Sequence, residues 1–223
     1  MTSPRAAARP FTFAGCVELR QALDVHALDE RELMNRIGEV PAGSIFFHTF
    51  GYFLRHRTFT TAYGNDFARW AAVEIGDHAL AERLAVVDPF AFSTIEELRE
   101  HLVTILQDHL RGREAERRVE FDRGFHFQQS HVVEVPLGVA AQTLAEFRAG
   151  LASVDESAIY LHTVETRARE RRAEGFSEWL RDSLDLPELA ERFERIDPYL
   201  TTLERIRGRL LSLVDVAMDE ARR

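Results

Sequence analysis

Ser44-Ile45-Phe46-Phe47-His48-Thr49 is echoed by Ala158-Ile159-Tyr160-Leu161-His162-Thr163, 114 positions later. Phe11-Thr12-Phe13 and Phe125-His126-Phe127 keep that offset. Phe67-Ala68-Arg69-Trp70 returns as Phe176-Ser177-Glu178-Trp179, and Leu80-Ala81-Glu82-Arg83 as Leu189-Ala190-Glu191-Arg192, now 109 positions on. Asp88-Pro89-Phe90 returns as Asp197-Pro198-Tyr199 at the same offset. Landmarks in one order at nearly constant spacing predict a repeated architecture, which takes precedence over local readings. The expected fold is mainly α and internally duplicated. Two pseudo-two-fold-related helical halves, 1–112 and 113–223, share a core, with short β-strands at the start of each half. The change of offset implies a loop near positions 58–64 that is five residues shorter in the second half.

Local patterns supply the elements. Apolar residues at helical spacing predict helices over 28–38, 44–57, 65–74, 77–87 and 93–110. Ser93-Thr94-Ile95-Glu96 and Thr201-Thr202-Leu203-Glu204 read as capping boxes. Asp88-Pro89 and Asp197-Pro198 read as helix stops, because the residue before proline avoids helical backbone. Phe125-His126-Phe127 and Val133-Glu134-Val135 alternate apolar with polar and predict short strands ending at Pro136, with Phe11–Phe13 and Val17–Leu19 as a fainter copy.

Composition bounds the function. The 223 residues are 45% hydrophobic and 29% charged, enough for a real core and unlike a disordered chain. A formal charge of −9 gives no electrostatic basis for coating nucleic acid. Apolar runs fall far short of the roughly 20 residues of a membrane span, and residues 1–10 lack the apolar centre of a secretory signal, so a cytoplasmic location is expected. Cys16 is the one cysteine, so an internal disulfide and a cysteine-built zinc or iron–sulfur site are excluded. Every one of the 28 basic residues is arginine. Without lysine there is neither Schiff-base chemistry on an enzyme amine nor a Walker-type phosphate loop. The cofactor, if any, is not legible.

The Ile-aromatic-x-His-Thr word, followed by Asn65-Asp66-Phe67-x-x-Trp70, Leu-Ala-Glu-Arg and Asp-Pro-aromatic, resembles a family of uncharacterised bacterial and archaeal proteins, a domain of unknown function. The resemblance spans most of the chain and implies no activity, cofactor or catalytic residue.

Candidate residues fall into three groups. Phe67, Trp70, Phe176 and Trp179 recur and read as packing. His48 and His162 recur beside threonine, and with His56 they are candidate ligands for a metal or anion, since neutral imidazole is a common metal ligand; the alternative is a histidine bonded to a buried backbone group. No His-Glu-x-x-His or Glu-x-x-His pattern completes a metal set. Phe46, Phe50, Tyr52, Phe53 and Tyr63 make the first half aromatic where the second is charged, which marks a core or a partner surface. The reading that follows is a non-catalytic interaction protein binding a protein partner or itself through this helix. The alternatives are a metal-binding protein or enzyme using His48 and His162, or a small-ligand sensor with a pocket between the halves.

Overall fold

Two long strands run through the molecule. β1 spans Ala6–Ala27, 22 residues, and β2 spans Phe125–Thr143, 19 residues; they pair antiparallel as a two-stranded sheet. This computed structural model describes residues 6–55, 63–112, 117–166, 174–198 and 201–221, the side chains of Phe53 and Leu54 excepted. Helix makes up 59% and strand 21% of it. That strand content corrects the expected mainly α fold with short strands heading two duplicated halves, and no internal duplication is shown. Contacts group Met1–Val17 with Val132–Arg223 as one unit and Glu18–His131 as the other. Each unit therefore takes a segment of both strands, a different grouping from 1–112 and 113–223.

The burial pattern explains why the strands read short. Phe11 and Phe13 are buried around an exposed Thr12, and Phe125 and Phe127 around an exposed His126. Between these anchors the ribbon is wet on both faces: nothing in Cys16–His26 or Val133–Ala140 is buried. A strand with no buried face has no reason to alternate. Pro136 does not end β2, because each strand of a two-stranded sheet has a free edge that needs no N–H. Gly138, at φ 69°, takes the left-handed backbone the ribbon needs there.

In the Glu18–His131 unit the helices are α1 (Glu30–Glu39), α2 (Ala42–His48), α3 (Gly51–Arg55), α4 (Asp66–Trp70), α5 (His78–Ala85) and α6 (Ile95–Leu110). A π-turn, Ala71–Ile75, continues α4. The expected helix over 44–57 breaks after His48: the Thr49 hydroxyl donates to the Ile45 carbonyl at 2.7 Å, and its backbone leaves helical geometry. Asn65 and Asp77 cap α4 and α5. Thr94, not Ser93, caps α6, accepting from the Glu97 amide, while the Glu97 carboxylate reaches back to Ser93 N–H. α1 packs on α6 through Leu33, Ile37, Leu98 and Leu102, and Arg99 donates to the last carbonyls of α1, Ile37 and Val40. Phe67 and Trp70 sit against Phe125 of β2, with the Phe67 ring stacked at 5.1 Å.

The second unit contains α7 (Leu144–Ser153), α8 (Glu156–Tyr160) continued by a π-turn at Leu161–Glu165, α9 (Phe176–Asp182), α10 (Pro187–Glu194) and α11 (Leu203–Glu220). Thr143 and Glu146 form a capping box on α7. Thr202 caps α11 through the Arg205 amide, so no carboxylate completes the box expected at Thr201–Glu204. Phe11 and Phe13 of β1 are enclosed by Phe147, Phe176 and Trp179, which with Phe67 and Trp70 settle as core aromatics. Positions 56–62, with most of the loop near 58–64, and 167–173 lie outside the described residues.

Two glycines of this unit test the packing. A Cβ at Gly150 would overlap the ring of buried Phe13, with Cζ at 2.8 Å, whereas nothing lies within 4 Å of one at Gly208. Gly150→Ala is expected to destabilise by about 1–3 kcal/mol, and Gly208→Ala, in mid-helix, to stabilise by about 0.5–1 kcal/mol. Urea denaturation of the two variants checks this; equal effects of one sign would remove the packing explanation.

Candidate functional site

The site is built around His48, the last residue of α2. Asp66 opens α4, where a carboxylate is favoured by the unpaired amides of a helix start. Its Oδ2 accepts from His48 Nδ1 at 2.8 Å and from Arg55 Nη2 at 2.5 Å. Arg55 ends α3; its guanidinium donates to the Phe47 carbonyl at 2.7 Å and lies 3.8 Å over the Phe47 ring. Glu18 of β1 is 3.8 Å from Arg55 and accepts from Arg20 at 3.0 Å. Gly51 makes the approach possible: a Cβ there would meet Arg55 Nη1 at 2.9 Å and Glu18 Oε1 at 3.5 Å. Partners on every side are what make a guanidinium with 8% side-chain exposure tolerable.

Both ring nitrogens of His48 are committed. Nε2 accepts the Gln128 backbone N–H at 3.1 Å, so the proton resides on Nδ1, donated to Asp66. Burial pushes the imidazole below its ordinary pKa, against the pull of Asp66. The ring therefore offers no lone pair to a metal or a substrate.

Above this network lies an open recess of about 280 Å³. Its guanidinium groups are Arg20, Arg55, Arg69 and Arg123, and its carboxylates Asp66, Glu74 and Asp122. Arg123 donates to the Glu74 carboxylate at 2.9 Å and the Glu74 carbonyl at 3.0 Å, and its own carbonyl accepts Trp70 Nε1–H at 2.9 Å. Arg69 is exposed and, among the described residues, has no carboxylate partner. Gln128 and His126 complete the polar wall.

His162 belongs to the other unit, where its environment differs in one respect. Nε2 accepts the Ala14 N–H at 3.1 Å, but Nδ1–H donates to a backbone carbonyl, that of Glu174, at 2.7 Å. Burial lowers its pKa to about 4. Like His48 it is a bridge between a helix and a strand edge. His56 lies outside the described residues. Among the described residues no group of three or more His, Cys, Asp or Glu side chains is placed to hold a metal ion.

Of the residues expected at an interface, Phe46, Phe50 and Tyr52 are buried within their unit, at 2%, 4% and 0% exposure. Phe46 stacks on Phe50, which meets Phe90 edge-on. Tyr63 is half-buried, and the Phe53 side chain lies outside the description. The sequence pattern does not mark Arg55, Arg69 or Arg123 as site residues, and Asp66 enters it only within the Asn65-Asp66-Phe67 word. One signal was available: Arg55 is a lone charge closing the apolar run Gly51-Tyr52-Phe53-Leu54.

Residues 8–215 match the family of unknown function DUF5752, and the chain belongs to that family. Among solved structures it is similar to OrfY from Thermoproteus tenax, at 28% identity and a TM-score of 0.78, over 95% of this chain and 97% of that one. No curated protein matches it. Among the described residues no helix is long and apolar enough to cross a membrane.

The histidines give the protein an acid sensitivity. Unfolded, His162 takes up a proton near pH 6.5; folded, it does so only near pH 4. Between these values the unfolded chain holds more protons, so stability is complete above about pH 6.5, falls as pH falls, and levels off below about 4. The loss from His162 alone is about 3 kcal/mol, and His48 adds in the same direction. Urea titrations from pH 7 to 4.5 should show the decline, and His162→Gln should flatten it; an undiminished slope in that variant would sink the assignment.

Proposed function

We propose that the protein is a non-catalytic binder of a small polar anion, held in the recess beside Arg69. The observation that carries this reading is the Arg69 guanidinium, without a carboxylate partner among the described residues, on a concave wall where Arg55, Arg123 and Arg20 are already held by Asp66, Glu74 and Glu18. Fixed ion pairs cost no further ordering when a ligand arrives, and a planar guanidinium fork suits a carboxylate or a phosphate. The Gln128 side-chain amide on the same wall supplies a further donor, while the His126 ring spends its Nε2–H on the Phe121 carbonyl. The floor is rigid because His48, Asp66 and Arg55 hold one another.

The same geometry argues for binding over catalysis. Among the described residues the wall carries no hydroxyl or thiol side chain. His48 has given both nitrogens to structure, and Asp66 already accepts two charge-assisted or polar hydrogen bonds through one oxygen. The aromatic segment contributes as a support, since Phe47 carries the Arg55 guanidinium on its ring.

Calorimetry and thermal shift with inorganic phosphate, sulfate and small mono- and dicarboxylates, at low ionic strength, test the reading. One of these is expected to raise the melting temperature and to bind with an affinity that Arg69→Ala lowers about 10- to 100-fold, the worth of a charged hydrogen-bonded contact. Anions that leave the wild type untouched, or that bind Arg69→Ala equally well, would falsify it.

A further inference from the structure

A second concave surface, unrelated to the recess, lies between α10 and α11. It is a shallow, wide-open depression of about 950 Å³ and carries Arg192, Arg195, Arg205 and Arg209, with no carboxylate on its wall among the described residues. In a chain of net charge −9 that is a local reversal of sign. Arg192 and Arg195 have distant or exposed acidic neighbours, Glu220 at 3.9 Å and Glu191 at 3.3 Å. Arg205 and Arg209 have no carboxylate partner among the described residues.

Between the arginines the surface is apolar and open. Ile196 and Leu213 are half-buried, and Val216 is 47% exposed. Arg205, Arg209, Ser212 and Val216 follow one another along an exposed face of α11 at helical spacing, about 16 Å from end to end. In the middle of that face stands Gly208, over which a Cβ would meet nothing within 4 Å. Another backbone can therefore approach α11 closely there, with cations on both sides and aliphatic carbon beneath.

We infer that this groove docks an acidic amphipathic helical segment of a partner protein. An apolar stripe at i, i+3, i+4, i+7 would lie on Ile196, Leu213 and Val216, the groove mode of helix recognition. Glutamate or aspartate flanking that stripe would meet the four guanidinium groups. The four guanidinium groups select a segment with acidic flanks, and the aliphatic floor between them selects one with an apolar stripe.

The test uses the full chain and a synthetic helical peptide of about four turns, roughly 15 residues, with leucine on the stripe and glutamate on both flanks. Fluorescence anisotropy at low salt is expected to give saturable binding that weakens at least tenfold in Arg205→Glu/Arg209→Glu and in Val216→Asp. It should weaken at least fivefold when the peptide's glutamates become glutamine. All the substituted side chains are exposed, and circular dichroism checks that the variants stay folded. Equal binding by wild type and both variants overturns the proposal, as does no binding at all. Sedimentation showing that the chain self-associates through Val216, or binding of anionic vesicles or nucleic acid that Arg205→Glu/Arg209→Glu abolishes while the peptide fails to bind, overturns it in favour of those occupants. Neither result depends on the anion recess.

Discussion

A two-stranded ribbon has two edges and no third strand, so the backbone groups on its outer sides must find partners elsewhere or remain in water. Where the ribbon is buried, helix side chains take the place of the missing strand. In the Glu18–His131 unit, Gln128 has both backbone groups served by α2: its N–H by His48 Nε2 and its carbonyl by the Ser44 hydroxyl. In the other unit the Ala14 N–H goes to His162 Nε2 and the Cys16 N–H to the Ser157 hydroxyl, while the Arg9 carbonyl takes Trp179 Nε1–H. A neutral imidazole suits this task because it accepts on one nitrogen and donates on the other.

The recess follows from the same constraint. Once His48 is fixed as an acceptor toward Gln128, its Nδ1–H must be satisfied in the interior, and Asp66 does so. A carboxylate placed there calls for a cation, and Arg55 supplies it while stacking on Phe47. Gly51 leaves the space, and Glu18 faces the remaining side of the guanidinium. Each step answers an unpaired polar group, and the chain of partners ends at the surface, where Arg20 meets solvent.

The helices are largely legible where amphipathic spacing acts locally, Leu33 with Ile37 and Phe67 with Trp70, whereas the caps of the two long helices fall one residue later than the pattern suggests, at Thr94 and Thr202. The strands were legible only at Phe11–Phe13 and Phe125–Phe127, where one face is buried. The intervening residues leave no pattern, since exposure on both faces imposes none. The echo at His48 and His162 pointed to real anchors, yet it was read as an architecture of equal halves, and pairing of segments more than 100 residues apart regrouped the chain. Arg55 and Asp66 carry no local pattern because their meaning lies in each other, 11 positions apart. Arg69, on an otherwise ordinary helix surface, carried no sequence signal at all.

The π-turn at Leu161–Glu165 gives this part of the chain one residue to spare. Within it Leu161, His162, Val164 and Glu165 are all buried. A wider turn accommodates one residue more than an α-turn while the helix on either side keeps its register. Removing a single residue there would let the turn tighten to regular helical geometry without turning Tyr160 and Thr166 against each other; in a regular helix the same deletion would rotate everything beyond it by about 100°. The loss would fall on the buried side chains of the turn itself, so the segment tolerates a change of length better than a charge among its buried positions.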